Sequence, residues 1–287
     1  MLLNIFLNLL FSINLLLSGQ SLVYDVPVIN LVTLPIEFSL SADKAAVFSD
    51  YHRSFVYEKN INEQQPIASI TKLMTAMVFI DTNPNWQEIY KIKQEDNVEG
   101  GRINLFLGDE LTLKDLLYTS LIASDNGATI ALTRAANLSE KDFVDLMNKK
   151  AVTLGLRQTS FHDPIGLNEN NVSSAREVVI LLKAALEYPE IKEAISLAEY
   201  KYQTVLGREK IIESTDSYLL TEDLSGLTAL GGKTGYINES GYCFVGLFKD
   251  ENNNTFIAAV LNSDSRNSRF LESYHLIDWS RKVYGKN

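Results

Sequence analysis

Two side chains in the segment "PIASITKLMTA", residues 66–76, have types and a spacing that could carry out chemistry. Ser69 and Lys72 lie three residues apart in an apolar setting. On a helix, positions i and i+3 share a face, so the hydroxyl and the amine would be neighbours. A serine hydroxyl needs a base to become a good nucleophile, and a partly buried lysine loses proton affinity and can be that base. The pair indicates serine acyl transfer; a helix start beside a surface lysine is the alternative.

Two further polar motifs follow at long range. "SDN" supplies Ser124 and Asn126 at the end of an apolar helical run, where helix capping is the alternative explanation. "KTG" supplies Lys233, Thr234 and Gly235 on a predicted strand, whose alternation points the lysine and the glycine to one face. That lysine would lower the proton affinity of the first lysine and attract an anionic substrate, and the glycine would let a substrate backbone lie close. The three motifs in this order are a known signature of β-lactamases and penicillin-binding proteins.

Composition narrows the class of protein. The chain has 287 residues, 46% of them apolar and 22% charged, which is typical of a globular protein. Its net charge of −10 and the lack of a long basic run argue against nucleic-acid binding. Cys243 is the single cysteine and lies in an apolar run, so we expect a buried structural thiol. The three histidines form no ligand-like pair, and we expect neither a metal nor another cofactor.

The first residues resemble a targeting segment. Residues 1–24 are strongly apolar and carry no charge, and Asp25 is the first ionisable side chain. This pattern predicts a signal peptide or an uncleaved N-terminal membrane anchor, with a core helix of a cytosolic protein as the alternative. We therefore expect the protein on the extracytoplasmic side, possibly anchored by this segment, with residues 25–42 as a connector.

The rest of the chain, residues 43–287, shows strand patterns near both ends and helical patterns between them. "KAAVFSDYHRSFVYEKN" predicts two strands about a turn at 50–53, and three short apolar segments after residue 227 predict further strands. Helical spacing marks "LTLKDLLYTSLIAS", "SEKDFVDLMNKKAVTLGL", "SSAREVVILLKAALEYPEIKEAI" and the last segment, "RFLESYHLIDWSRKVYG". We expect an α/β (α+β) fold: one antiparallel sheet built from both chain ends and flanked by helices, a helical subdomain at about 80–225, and a ligand cleft between them.

The chain resembles the serine-type D-alanyl-D-alanine carboxypeptidases, the low-molecular-mass penicillin-binding proteins, from about Ala45 to Tyr284. Beyond the three motifs, the similar segments are "LGLRQTSFHDPIGL", "VSSAREV", "KTGYINESGYCFVG" and "SRFLESYHLIDW". The resemblance implies a β-lactamase/transpeptidase-like fold. It also implies that the protein removes the terminal D-alanine of peptidoglycan stem peptides through a serine acyl-enzyme, without a cofactor, and that β-lactam antibiotics inhibit it covalently.

The resemblance implies a role for each matched polar residue. Ser69 would be the nucleophile and Lys72 its general base. Ser124 would relay a proton to the leaving amine, and Lys233 would tune the site. Asn126 would hydrogen-bond the substrate amide.

Substrate recognition is implied for a second group of residues. The backbone N–H groups of Ser69 and Tyr236 would form the oxyanion hole, and Thr234 and Arg269 would recognise the terminal carboxylate. Asp216 departs from the family pattern, because members usually have asparagine there, and it could alter the rim of the cleft.

Three other activities remain open. A class A β-lactamase would carry a Glu-x-x-x-Asn segment, whereas "HDPIGLNENN" has Glu169 outside that pattern. A D,D-endopeptidase that cuts peptidoglycan crosslinks would use the same residues, and the expected lack of a C-terminal β-rich domain after Asn287 makes it credible. A penicillin-binding scaffold or sensor without turnover is disfavoured by the intact motifs.

Overall fold

A five-stranded antiparallel sheet is built from both ends of the described chain. The computed structural model describes residues 39–98, 100–101, 103–222 and 224–284. The strands of the sheet are β1 Lys44–Ser49, β2 Ser54–Lys59, β9 Leu227–Ile237, β10 Gly241–Asp250 and β11 Thr255–Ser263. Their order is β2-β1-β11-β10-β9, so the first hairpin lies beside the last strand of the chain. The predicted fold class and the turn at 50–53 are confirmed.

Eight α-helices and three two-stranded sheets accompany the main sheet in the described part of the chain. The helices are α1 Thr71–Asp81, α2 Leu113–Ile122, α3 Asn126–Ala135, α4 Glu140–Thr153, α5 Ala175–Ala185, α6 Pro189–Ile195, α7 Ser217–Thr221 and α8 Ser268–Tyr284. The small sheets pair β3 Gln65–Pro66 with β6 Val172–Ser173, β4 Ile89–Lys91 with β5 Glu110–Thr112, and β7 Glu199–Gln203 with β8 Glu209–Glu213. The helical segment between the strands of the main sheet therefore also contains short strands.

Local sequence explains where the middle helices begin and end. Thr112 and Ser139 cap α2 and α4, because each side chain accepts a hydrogen bond from the backbone N–H three residues on, at 3.0 and 3.1 Å. Gly155, with φ +76°, follows α4 in the left-handed region that glycine adopts readily. Pro189 divides the helical pattern predicted over 173–195 into α5 and α6, because its ring fixes φ and removes an N–H donor.

The central helix α1 carries one of the chemical motifs into the middle of the molecule. Every residue of α1 from Thr71 to Phe79 is buried. A helix enclosed on all sides belongs to a core rather than to a surface. Residues Ala46, Val245 and Ala259 of the sheet belong to the same hydrophobic core as α1 and α5. On the sheet's other face, the ring of Phe244 lies 5.1 Å from that of Phe270 on α8.

The predicted leader, residues 1–24, and most of the connector at 25–42 lie outside the described residues. Within the part of the chain that the structure describes, no helix has both the length and the apolar character needed to cross a bilayer.

Phe143 gives a direct test of this core. It is 0% exposed on α4 and belongs to the hydrophobic core. We expect Phe143→Ala to lower the free energy of unfolding by about 3–5 kcal/mol, because the change removes buried contacts and leaves a cavity. Urea unfolding of both chains measures the loss. The matched control is Val152→Ala on the same helix, where the side chain is 77% exposed; its effect should stay within about 0.5 kcal/mol. Equal losses would contradict the assigned packing.

Candidate active site

The amine of Lys72 has three hydrogen-bond partners in the site. Its Nζ lies 2.9 Å from Ser69 Oγ, 2.8 Å from Asn126 Oδ1 and 2.7 Å from the backbone oxygen of Ile165. The two carbonyl oxygens can only accept hydrogen bonds, so a neutral amine gives both of its N–H groups to them. Its lone pair is then left for the hydroxyl proton of Ser69. The geometry suits proton transfer from the serine to the lysine.

Burial is what makes this amine a base. The side chain is 0% exposed. Burial lowers the pKa of Lys72 to about 7, although the carboxylates of Asp163 and Asp125 act in the opposite direction. We expected Lys233 to lower the pKa of Lys72, but burial is the main cause. The pKa of Lys233 is also lowered, first by burial and then by repulsion from Lys72.

A short turn holds the serine against the edge strand of the sheet. Ser69 lies in a three-residue 3-10 turn, Ala68–Ile70, between β3 and α1. Strand β9 passes so close that a Cβ placed on Gly235 would come within 2.5 Å of the backbone oxygen of Ile67. Glycine is therefore required there, and the third motif is held directly beside the first.

A second close approach comes from the loop that follows His162. Gly166 has φ +86°, and a Cβ placed there would lie 2.0 Å from the backbone oxygen of Ala68. The carboxylate of Asp163 accepts a hydrogen bond from the N–H of Ile165 at 2.8 Å, and another from that of Gly166. These contacts aim the Ile165 carbonyl at Lys72. The segment "HDPIGL" was the sequence signal for this loop, although the carbonyl itself was not predicted.

The second motif lies in the link between α2 and α3. Ser124 has φ +59°, and its Oγ accepts a hydrogen bond from Lys233 Nζ at 2.8 Å. Asp125 caps α3. Asn126 is the first residue of that helix, and its Nδ2 donates to the backbone oxygen of Gly100 at 3.0 Å. The loop conformation thus turns one side chain towards each lysine: Ser124 towards Lys233 and Asn126 towards Lys72.

All nine predicted site residues come together at one open cleft of about 270 Å³. Seven of them line it: Ser69, Ser124, Asn126, Thr234, Gly235, Tyr236 and Arg269. Lys72 and Lys233 are buried beneath it and reach its two serines. Their common location is a structural observation, whereas their individual roles remain predictions.

One end of the cleft is cationic. Arg269 is buried, and its guanidinium donates weakly to the backbone oxygens of Gly235 and Cys243, at 3.2 and 3.4 Å. Its Nε has no hydrogen-bond partner among the described residues. Burial lowers the pKa of this arginine to about 10, which leaves it charged at neutral pH. This end of the cleft is suited to an anionic group.

Sequence reasoning missed five residues that line the cleft, among them Thr215, Arg266 and Leu167. Thr215 accepts a hydrogen bond from Thr234, with the two Oγ1 atoms 2.7 Å apart. Arg266 adds a second guanidinium near Arg269, and Leu167 supplies an apolar wall. No motif marks these positions; for Leu167 the "HDPIGL" segment was the available signal, and for the other two only the fold brings them here.

Two further predictions concern polar groups around the cleft. Asp216, which we expected could alter the rim of the cleft, does not line the cleft. It is 3% exposed and hydrogen-bonded to Ser214 Oγ. Burial raises the pKa of this carboxyl to about 6. Cys243 is buried with its pKa raised to about 11, which agrees with the expected structural thiol.

Fold and site together define a class of protein: a helix-flanked antiparallel sheet with a serine hydroxyl 2.9 Å from a buried lysine amine. Among solved structures, a Streptomyces DD-transpeptidase shares 26% identity at a TM-score of 0.77, over 85% of this chain and 98% of its own. Penicillin-binding protein D2 from Listeria monocytogenes, in a cefotaxime-bound form, shares 30% identity at a TM-score of 0.72, over 85% of this chain and 98% of its own.

The family is shown by sequence. Residues 33–265 match the model of the D-alanyl-D-alanine carboxypeptidase family, peptidase S11, so the chain belongs to that family and is a serine-type hydrolase. A D-alanyl-D-alanine endopeptidase of Haemophilus influenzae is 35% identical over 79% of this chain and 78% of its own length. The carboxypeptidase DacF of Bacillus subtilis is 32% identical over 86% of this chain, which spans 64% of the length of DacF.

A glycine pair tests the close packing around Ser69. Gly166 and Gly155 both have positive φ, but a Cβ would meet a backbone atom only at Gly166. We expect Gly155→Ala to cost about 1 kcal/mol of unfolding free energy from backbone strain alone. Gly166→Ala should cost at least about 2 kcal/mol more, because the loop must move away from Ala68. Urea unfolding compares the two, and equal costs would contradict this packing.

Proposed function

We propose that this protein hydrolyses the terminal D-alanyl-D-alanine bond of peptidoglycan stem peptides through an acyl-enzyme on Ser69. The observation that carries the proposal is the arrangement of Lys72: its buried Nζ lies 2.9 Å from Ser69 Oγ, while two carbonyl oxygens occupy its other hydrogen-bonding directions. A serine so placed has the base that nucleophilic attack requires.

The first half-reaction transfers the acyl group to the enzyme. Lys72 takes the Ser69 proton as Oγ forms a bond to the carbonyl carbon of the penultimate residue. The resulting oxyanion is held by the backbone N–H groups of Ser69 and Tyr236. The tetrahedral intermediate collapses, the C–N bond breaks, and Ser124 passes a proton to the departing D-alanine amine. The proton that Lys72 took from Ser69 then replaces the one that Ser124 gave up, so Lys72 is neutral again. Water attacks the ester as Lys72 takes one of its protons, and this proton returns to Ser69 Oγ as the ester bond breaks and the second product leaves.

Substrate binding uses the cationic end of the cleft. The terminal carboxylate binds Thr234 and Arg269, with Lys233 adding positive charge beneath. Asn126 hydrogen-bonds the substrate amide. The backbone of β9 at Gly235 lines the cleft, so the substrate backbone can lie along it. The missing side chain of Gly235 makes room for the turn at Ile67 and not, as we had expected from the sequence, for the substrate.

β-Lactam antibiotics are proposed as covalent inhibitors that acylate Ser69. The Listeria neighbours with cefotaxime and with ampicillin bound support this proposal, because they share the fold and about 30% of the sequence. We also propose that the chain acts on the extracytoplasmic side, where its substrate lies. Residues 1–24 would direct export or remain as an anchor.

Cleavage of D,D-crosslinks is the second candidate function. Three curated relatives, at 28–35% identity, are endopeptidases. The crosslinked bond also has a D-alanine carbonyl, so the same acyl-enzyme forms and only the leaving amine is larger. The open rim near Arg266 leaves room for this larger group to extend.

Product release separates these functions. We expect wild type to release D-alanine from a diacyl-Lys-D-Ala-D-Ala tripeptide and Ser69→Ala to release none above background, because the nucleophile is gone. Ser225→Ala, at a surface serine outside the cleft, is the control and should keep wild-type activity. A crosslinked muropeptide dimer, followed by mass spectrometry, measures the second activity. Release by Ser69→Ala equal to wild type would contradict the proposed nucleophile.

The base gives a second prediction. The pKa of Lys72 is lowered to about 7 by burial, and only the neutral amine can accept a proton. We therefore expect kcat/KM for D-alanine release to rise with pH through a midpoint near 7. Lys72→Arg should lose at least about a hundredfold in kcat/KM at every pH, because a guanidinium stays protonated. An acid limb with a midpoint below about pH 5 would indicate a carboxylate base instead and contradict this role.

A further inference from the structure

A buried carboxylate lies behind the cleft wall and has no role in the mechanism above. Asp216 precedes α7 and is nearly inaccessible to solvent. Its side chain does not cap α7; its Oδ1 accepts a hydrogen bond from Ser214 Oγ, which in turn accepts from the Asp216 N–H at 3.3 Å. No cationic nitrogen of the described residues lies within ion-pair distance of it. A buried carboxylate without a direct ion pair is costly and calls for a physical reason.

The backbone fixes Asp216 beside the catalytic cleft. The N–H of Thr215 donates to the backbone oxygen of Ile122 at the end of α2, at 3.1 Å. The hydroxyl of Thr215 pairs with that of Thr234 on β9, which follows Lys233 directly. Thr215 thus faces the cleft, and the carboxylate of the next residue is held behind it.

The charged groups around Asp216 come from two neighbouring elements. Lys233 on β9 and Arg269 on α8 both favour its ionised form, against the effect of burial. In return, Asp216 favours the charged forms of Lys233 and of Arg269.

The two lysines differ in the carboxylates that act on them. Asp163 and Asp125 favour the protonated form of Lys72. For Lys233 the favourable carboxylate is Asp216, while Lys72 and Arg269 oppose the charge. Removal of Asp216 would therefore take away the carboxylate that favours the charge on Lys233.

We propose that Asp216 is a positioning residue that favours the protonated form of Lys233 and so fixes the direction of its hydrogen bond with Ser124. A protonated lysine can only donate, so Ser124 Oγ accepts this bond and keeps its own proton for the leaving amine. A neutral Lys233 could accept that proton instead and turn the relay away from the substrate. This inference rests on the proposed function of the same site.

A neutral replacement of the same shape tests the proposal. Asp216→Asn retains an oxygen that can accept from Ser214 and removes only the charge. The measurement is kcat/KM for D-alanine release from the diacyl tripeptide across pH. We expect the alkaline limb, where Lys233 loses its proton, to move down by about one pH unit, because an opposite charge nearby has been removed. Activity above that limb should fall about tenfold, and the acid limb set by Lys72 should stay in place.

The control is another buried carboxylate, far from the cleft. Asp250 at the end of β10 accepts hydrogen bonds from the N–H groups of Asn252 and Asn254, at 2.9 and 2.8 Å. Asp250→Asn should alter stability without moving either limb. Should Asp216→Asn fail to fold in a thermal unfolding assay, the smaller neutral Asp216→Ser must show the same shift of the alkaline limb.

Each outcome decides the proposal. A downward shift of the alkaline limb in a folded neutral variant supports it. An alkaline limb at the wild-type position, whether activity is retained or uniformly lowered, overturns it and leaves Asp216 as a structural hydrogen-bond acceptor. Failure of the proposed function itself is distinguishable, because wild type would then release no D-alanine or Ser69→Ala would release as much as wild type.

Discussion

The arrangement of the candidate active site depends on the burial of the Lys72 amine. A charged lysine in a dry core is strongly unfavourable, so Lys72 gives up proton affinity and takes neutral partners instead. Those partners come from three separate places in the chain: the turn before α1, the first residue of α3 and the loop at Ile165. The central helix, the helical segment and that loop must therefore be folded together before the base exists. Stability and chemistry depend here on the same contacts.

The distribution of charge explains how an acidic protein can hold an anionic substrate. The chain carries a net charge of −10, which by itself repels a carboxylate. Within the cleft the local charge is positive instead, because Lys233 and Arg269 are buried and solvent screens their charges poorly. Burial lowers the pKa of both groups at the same time. A site of this kind needs an anion nearby, and the described residues provide one in Asp216.

Sequence patterns predicted the parts of this structure that depend on local spacing. The first hairpin, the capped helices and the pairing of Ser69 with Lys72 all follow from periodicity and short motifs. The role of the Ile165 carbonyl could not follow, because a backbone group leaves no trace in side-chain types. Arg266 and Thr215 come from segments with no motif, and only the fold brings them to the cleft. Asp216 was expected to alter the rim of the cleft because it departs from the family pattern; the fold buries it instead, and no local pattern indicates this burial.

Rigidity around Ser69 has a consequence for substrate choice. Gly166 and Gly235 let two chain segments approach the turn that carries Ser69 more closely than any side chain would permit. The acyl-transfer geometry therefore has little freedom to adapt to different substrates. The side chains with more exposure lie at the rim, where Leu167 is 39% and Tyr236 49% exposed. The two activities proposed above, cleavage of a terminal D-alanine and of a D,D-crosslink, differ only in the leaving amine, so discrimination between them must come from this exposed rim and not from Ser69 and Lys72.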